Sequence, residues 1–312
     1  MKPAEPTPAA LPSPLGRYFF ATRPAFLSVT LFACAIGLAA AHYAGVEIRP
    51  AAAAATVLLA LVAHAGANVL NDYYDALNGT DAINTERLFP YTGGSRFIQN
   101  GVLTARETAV FGAALFAVVI VAGLALARVS GPWLLAIGAA GLFIGWAYSA
   151  PPLALNSRGL GEPCVAAGFA LIAVGTDYVQ RGALALFPLI AVVPYALLVA
   201  NLLYINQFPD ATADAAAGKR HWVVRLGRGR ARWGYIAIAL LAYGWLAGAV
   251  AADHLPPAAL AGLLSAALSA RASAGLWRHA GAPARLEPAI RATIGAACAH
   301  GLLLSAALAL AA

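Results

Sequence analysis

The chain has 312 residues, 61% of them hydrophobic and only 11% charged, with a mean hydropathy of +0.75. Soluble globular domains carry roughly 25% charged residues, so this composition excludes that class and points to a lipid bilayer as the surrounding medium. The net charge of +7 does not argue for a nucleic-acid partner, because the distribution of the basic residues serves membrane topology.

In chain order, "MKPAEPTPAALPSPL" is proline-rich, and residues 1–16 are expected to form a disordered tail ahead of a single transmembrane domain, 17–312. Nine apolar segments follow, near 24–43, 50–71, 107–127, 132–150, 161–180, 183–205, 232–252, 256–275 and 289–311. They are long enough to cross a bilayer, and the first is too long for the apolar region of a signal peptide. Many are rich in Ala, Gly and Leu, as helices that pack closely in lipid are. The fold class expected is therefore all-α integral membrane, a bundle of nine transmembrane helices with two polar cytoplasmic loops. Only Arg49, Arg128 and Arg181 fall on one side of this arrangement. The other 17 of the 20 Lys and Arg residues fall on the opposite side. The positive-inside rule places the N-terminus and the even-numbered connections in the cytoplasm, with the C-terminus outside. Cys34, Cys164 and Cys298 lie singly in apolar segments and read as core residues. Trp133 and Trp233 sit at span ends, where an interfacial belt is expected, and Asp177 reads as an outer interfacial residue.

The two long polar connections, 72–106 and 206–231, each follow a span that ends in Asn and Asp. In "ANVLNDYYDALNGTD", Asn68, Asp72 and Asp75 fall at i, i+4 and i+7, one face of a helix. Asn78 and Gly79 form a stop signal, and Asp81 lies in the turn beyond. In "NQFPDATADAAAGKR", Asn206, Asp210 and Asp214 again share a face, and Lys219 and Arg220 follow Gly218. Both clusters contain Asn-x-x-x-Asp, at an offset of 138 residues. Ionised carboxylates near hydrocarbon need a counter-charge. An all-oxygen donor set without His or Cys suits Mg²⁺ shared with substrate phosphates. Lys219, Arg220, Arg87 and Arg96 would hold the anion. Together these groups describe a diphosphate site. "RLGRGR" at 225–230 lacks the glycine pattern and preceding strand of a dinucleotide site, so its arginines read as topogenic. His64 reads as a packed helix residue one turn before Asn68. His221, His254, His279 and His300 show no ligand spacing.

These motifs resemble those of the UbiA superfamily of membrane prenyltransferases. Asn71, Asp72 and Asp75 match its first aspartate motif. Gly79 followed by Asp81 looks like the branch that prenylates 1,4-dihydroxy-2-naphthoate, and Asp210 and Asp214 match the second motif. "TGGSRFIQNG" at 92–101, "YSAPPL" at 148–153 and "RGLGE" at 158–162 extend the likeness over nearly the whole chain. The resemblance implies Mg²⁺ held by Asp72, Asp75, Asp81, Asp210 and Asp214, with Asn68 ligating the metal or orienting the acceptor beside Asn71. It also implies Tyr148 as the ring that stabilises an allylic cation. The implied reaction moves a polyprenyl group from its diphosphate to an aromatic acid in menaquinone biosynthesis, with CO₂ lost from the naphthoate, at the cytoplasmic face of the inner (plasma) membrane. 4-Hydroxybenzoate and homogentisate are the alternative acceptors. An ion-coupled secondary transporter is the alternative of another class, distinguished by acids at the bilayer midplane rather than at helix ends.

Overall fold

The computed structural model describes residues 4–312; Lys2, counted above among the basic residues, lies outside them. Among the described residues every regular element is helical; eight helices are long and apolar enough to cross a bilayer, and a ninth apolar helix, Trp133–Ala147, is shorter. A short α1, Pro14–Ala21, leads into a 3₁₀ turn and α2, Ser28–Tyr43. Then come α3, Pro50–Leu77; a one-turn α4, Thr80–Ile83; α5, Ala105–Ser130; α6, Trp133–Ala147; and α7, Gly161–Arg181. The second half contains α8, Phe187–Ala216; α9, Trp222–Ala251; a 3₁₀ stretch running into α10, Ala266–His279; and α11, Glu287–Leu310.

Local chemistry explains the boundaries. Pro50 occupies the first turn of α3, where its missing N–H costs nothing. Thr104 and Glu107 form a reciprocal capping box at the start of α5. Gly79 takes φ 80° just past α3, a conformation that ends a helix cheaply only at glycine. The apolar segments near 50–71 and 183–205 are the visible parts of longer helices. Hydropathy drops where Asn and Asp begin, but the backbone continues helically through Asp75 and through Asp214.

Helix α8 is the centre of the bundle and packs against α2, α7, α9 and α11, whereas α5 presents its apolar side chains outward. Val110, Ile120 and Val121 are at least half exposed, a surface that only lipid would cover favourably. Small residues set the helix spacing. A methyl group on Gly37 of α2 would meet the Ala173 carbonyl oxygen of α7 at 2.3 Å. At the end opposite the acidic clusters, Arg49 in the α2–α3 connection hydrogen-bonds to Val179 O and to Gln180 at the C-terminal end of α7.

Three expectations gain structural detail. Residues 4–13, expected to be disordered, lie along the loop after α3. Arg87 Nε donates to Glu5 Oε1 at 2.7 Å, Asn100 donates to Glu5 Oε2, and Leu11 packs against Phe97, Val102 and Leu103. Asp177, read as interfacial, lies near the C-terminal end of α7 and is buried within the protein, where Arg181 one turn on binds both of its oxygens at 2.8 and 2.6 Å. Of the 225–230 arginines, read as topogenic, Arg225 and Arg228 have structural partners. Arg228 donates to Phe208 O at 2.8 Å and pairs with Glu86 at 2.6 Å, beside the helix-interior Pro209.

Candidate active site

The C-terminal ends of α3 and α8 lie at the same end of the bundle, and the loop 84–104 folds between them. Ser95 N donates to Asp72 Oδ1 at 3.1 Å, and two residues earlier Gly93 N donates to Asp210 Oδ2 at 3.2 Å. Asn84 adds a 2.6 Å hydrogen bond to Asp210 Oδ1. One short stretch of backbone therefore touches both aspartate motifs. A second tie is ionic: Lys219 Nζ lies 2.8 Å from Asp75 and 3.1 Å from Asp214. Burial works against its ammonium, but the two carboxylates outweigh that and hold it firmly protonated.

Asp81 sits on α4 and faces the same point. Burial, followed by the charges of Asp75 and Asp72, pushes its carboxyl up to about 8. Its Oδ2 is buried and has no hydrogen-bond partner among the described residues. Glycine is required opposite it. Gly94 has φ 71°, and a methyl group there would lie 2.5 Å from Asp81 Oδ2 and 3.0 Å from Asp72 Oδ1. Gly94→Ala is therefore expected to lower turnover by at least about tenfold through displacement of these acids. Unchanged kcat/KM in a steady-state assay would contradict this.

Asp75, Asp81, Asp210 and Asp214 open into a cavity of about 340 Å³ inside the bundle, and Asp72 is buried behind them, outside its lining. Asn68, Asn71, Asp75, Asp81, Asp210, Asp214, Tyr148 and Lys219 line it, and Phe116, Phe169 and Leu203 supply apolar wall. Asn68 donates to Thr22 O at 3.1 Å, which leaves its carbonyl as the free polar atom. Asn71 bridges Asp75 and Ser149 Oγ, at 3.2 and 2.8 Å. A larger apolar chamber of about 620 Å³ adjoins this cavity, sharing Arg23, Phe26, Tyr91 and Leu202, between residues 4–11, the start of α2, the loop 89–97 and Ile294 of α11.

Not every expected residue reaches the cavity. Arg220 is exposed and does not line it. Arg87 is held by Glu5 and Asn84 O, and Arg96 is buried against the Asp81 carbonyl, so both brace the loop from behind. Conversely, Arg23 and His221 line the cavity without having been assigned to it. His221 Nε2 lies 3.0 Å from Asp214, seven residues away, a spacing with no motif signature. His64 also lines the cavity while bonded to Thr30 at 2.7 Å, so it is both packed and cavity-facing.

The donor set suits a hard divalent ion: carboxylates and amide oxygens, an orphaned buried oxygen on Asp81, and too little positive charge for five acids. Among the described residues no three His, Cys, Asp or Glu side chains enclose an ion by themselves. This departs from a six-residue protein cage, since Lys219 stands between Asp75 and Asp214. It matches the habit of Mg²⁺, which takes one or two carboxylates and fills its shell with water and phosphate oxygens.

Comparison with known proteins gives three likenesses of different kinds. Residues 30–287 match the model of the UbiA prenyltransferase family. A 1,4-dihydroxy-2-naphthoate octaprenyltransferase of Mycobacterium tuberculosis is 34% identical over 247 residues, covering 77% of this chain and 78% of that protein. Among solved structures, a UbiA homolog from Aeropyrum pernix superposes with a TM-score of 0.63 at 18% identity, covering 90% of this chain and 97% of its own. An Archaeoglobus fulgidus homolog bound to GPP and Mg²⁺ gives 0.60 at 16% identity, with 93% and 99% covered.

Proposed function

This chain belongs to the UbiA prenyltransferase family, and from that premise we propose that it uses Mg²⁺ to move a polyprenyl group from its diphosphate to 1,4-dihydroxy-2-naphthoate, as in menaquinone biosynthesis. The observation that carries this reading is the Lys219 bridge between Asp75 and Asp214, with the Gly93–Ser95 backbone joining Asp210 to Asp72. Acids from both halves of the chain thereby surround a single space. The naphthoate acceptor is favoured by the Mycobacterium relative, and the metal by the donor set and by the Archaeoglobus neighbour.

Asp72, Asp75, Asp81, Asp210 and Asp214 would hold the metal, with Asn68 as an additional oxygen. When bound, Mg²⁺ neutralises the diphosphate and makes it a competent leaving group. Lys219 keeps a positive charge at the same place, where negative charge grows on the departing oxygen. The Tyr148 ring offers its face to the allylic cation. The apolar walls exclude water from that cation until the aromatic carbon attacks. Asn71, tied to Ser149, orients the acceptor, and the adjoining apolar chamber accommodates the prenyl tail. A transporter fits less well, since the acids cluster near the ends of α3 and α8 and not at broken helices.

Purified protein supplied with Mg²⁺, a geranylgeranyl or longer diphosphate, and 1,4-dihydroxy-2-naphthoate, 4-hydroxybenzoate or homogentisate is expected to prenylate the naphthoate with the highest kcat/KM. Preference for another acceptor would overturn the assignment. The site is proposed to face the cytoplasm of the inner (plasma) membrane. Ala252→Cys should then react with an impermeant maleimide in intact cells, and Ala216→Cys only after permeabilisation. The opposite labelling would invert the topology.

A further inference from the structure

Glu162, at the start of α7, is a carboxylate with 7% exposure and no cation within ion-pair distance among the described residues. Its Oε1 accepts a 2.7 Å hydrogen bond from Gln207 Nε2 on α8, and its Oε2 has no partner. Buried, unpaired carboxylates are costly and need a reason. Gln207 supplies one. It is also 7% exposed, it lines the catalytic cavity, and its Oε1 is buried without a partner. Glu162 Oε1 takes the NH₂ side of the amide, which turns the Gln207 carbonyl away from it. The neighbouring Asn206 lines the same cavity and has a buried, unpartnered Oδ1.

Two residues of the cavity wall therefore each carry a buried acceptor atom lacking a donor. A diphosphate or a prenyl chain cannot satisfy them, because neither brings a hydrogen to donate. A ring hydroxyl can. Building on the function proposed above, we propose that Gln207 Oε1 and Asn206 Oδ1 read the hydroxyl groups of the aromatic acceptor, and that Glu162 is the positioning residue that fixes the Gln207 amide for this task. Two acceptor atoms favour a dihydroxy ring over a monohydroxy one. The site rejects a ring whose hydroxyls are blocked, since the buried carbonyls would stay unpaired. Glu162 touches no substrate and is retained for orientation at the expense of stability.

The test is steady-state kinetics of the whole enzyme in nanodiscs, with a dihydroxy aromatic acceptor and its mono-O-methyl ether. Gln207→Met is expected to raise KM for the hydroxylated acceptor at least about tenfold and to narrow the preference over the ether by a similar factor. KM for the prenyl diphosphate should stay within about twofold. Glu162→Gln removes the obligate acceptor, so it should raise the same acceptor KM while leaving Tm unchanged or higher. A purely structural Glu162 would lower Tm and leave the acceptor preference intact, which would overturn the positioning role. A Gln207→Met enzyme that keeps the full preference, or a Gln207→Leu enzyme that does so if the Met variant fails to fold, would overturn the reading of the hydroxyls. A wild-type enzyme that prenylates neither compound would instead overturn the function on which this rests.

Discussion

Asp72→Asn is expected to reduce Mg²⁺-dependent prenyl transfer by at least about a thousandfold while leaving membrane insertion and Tm nearly unchanged. Losing one carboxylate of a metal-held diphosphate site removes several kcal/mol of transition-state stabilisation, and each 1.36 kcal/mol is about tenfold in rate. The substitution is close to isosteric. Its amide oxygen can keep the hydrogen bond that Ser95 N donates. Asp210→Asn is expected to be at least as damaging but less clean. Both Asp210 oxygens already accept hydrogen bonds, from Asn84 and from Gly93, so an amide would set its NH₂ against a donor. The paired measurement is turnover of the purified variants across a Mg²⁺ titration, with thermal unfolding alongside. Near-normal turnover in both variants would reject the metal assignment.

Lys219→Met should combine a functional and a structural loss. Lys219 is 8% exposed and is the ammonium shared by Asp75 and Asp214. Removing one partner of a buried ion pair costs about 3–5 kcal/mol, because the remaining charges are left uncompensated. Here two like charges remain. The variant is expected to unfold at a lower temperature than the wild type in the presence of a chelator and to regain most of that difference when Mg²⁺ is supplied, since the ion replaces the missing charge. Turnover should fall by about a hundredfold or more even with saturating Mg²⁺, because a fixed positive charge at the leaving group is gone. The checks are Tm with and without Mg²⁺ and single-turnover rates. A Tm and a rate both like those of the wild type would remove Lys219 from the centre of the site.

The nine apolar segments were legible because hydropathy is a property of consecutive residues, and helices in lipid must satisfy their own backbone. Boundaries were less legible where function intrudes. Hydropathy ended the apolar segments at 71 and 205, whereas the helix-face spacing of Asn68 to Asp75 and of Asn206 to Asp214 is what α3 and α8 follow. The acids themselves stood out by spacing. Arg87, Arg96 and Arg220 shared their charge and neighbourhood with Lys219, and composition offered no means of separating them. Only Lys219 lines the cavity, because Gly218 at φ 83° turns the chain back toward the acids. His221 and Gln207 gave no local signal, and the motif that contains Glu162 gave no hint of its partner on α8.

By itself, the amino-acid sequence determined that this protein is a helical membrane bundle and that two Asn/Asp clusters lie near helix ends, since periodicity and hydropathy need no partner to be read. The tertiary structure decided which groups meet. Asn84 reaches Asp210 across 126 positions and Asn71 reaches Ser149 across 78. Such contacts depend on how helix ends converge and on where a buried charge finds its counter-charge, neither of which is written in any single segment.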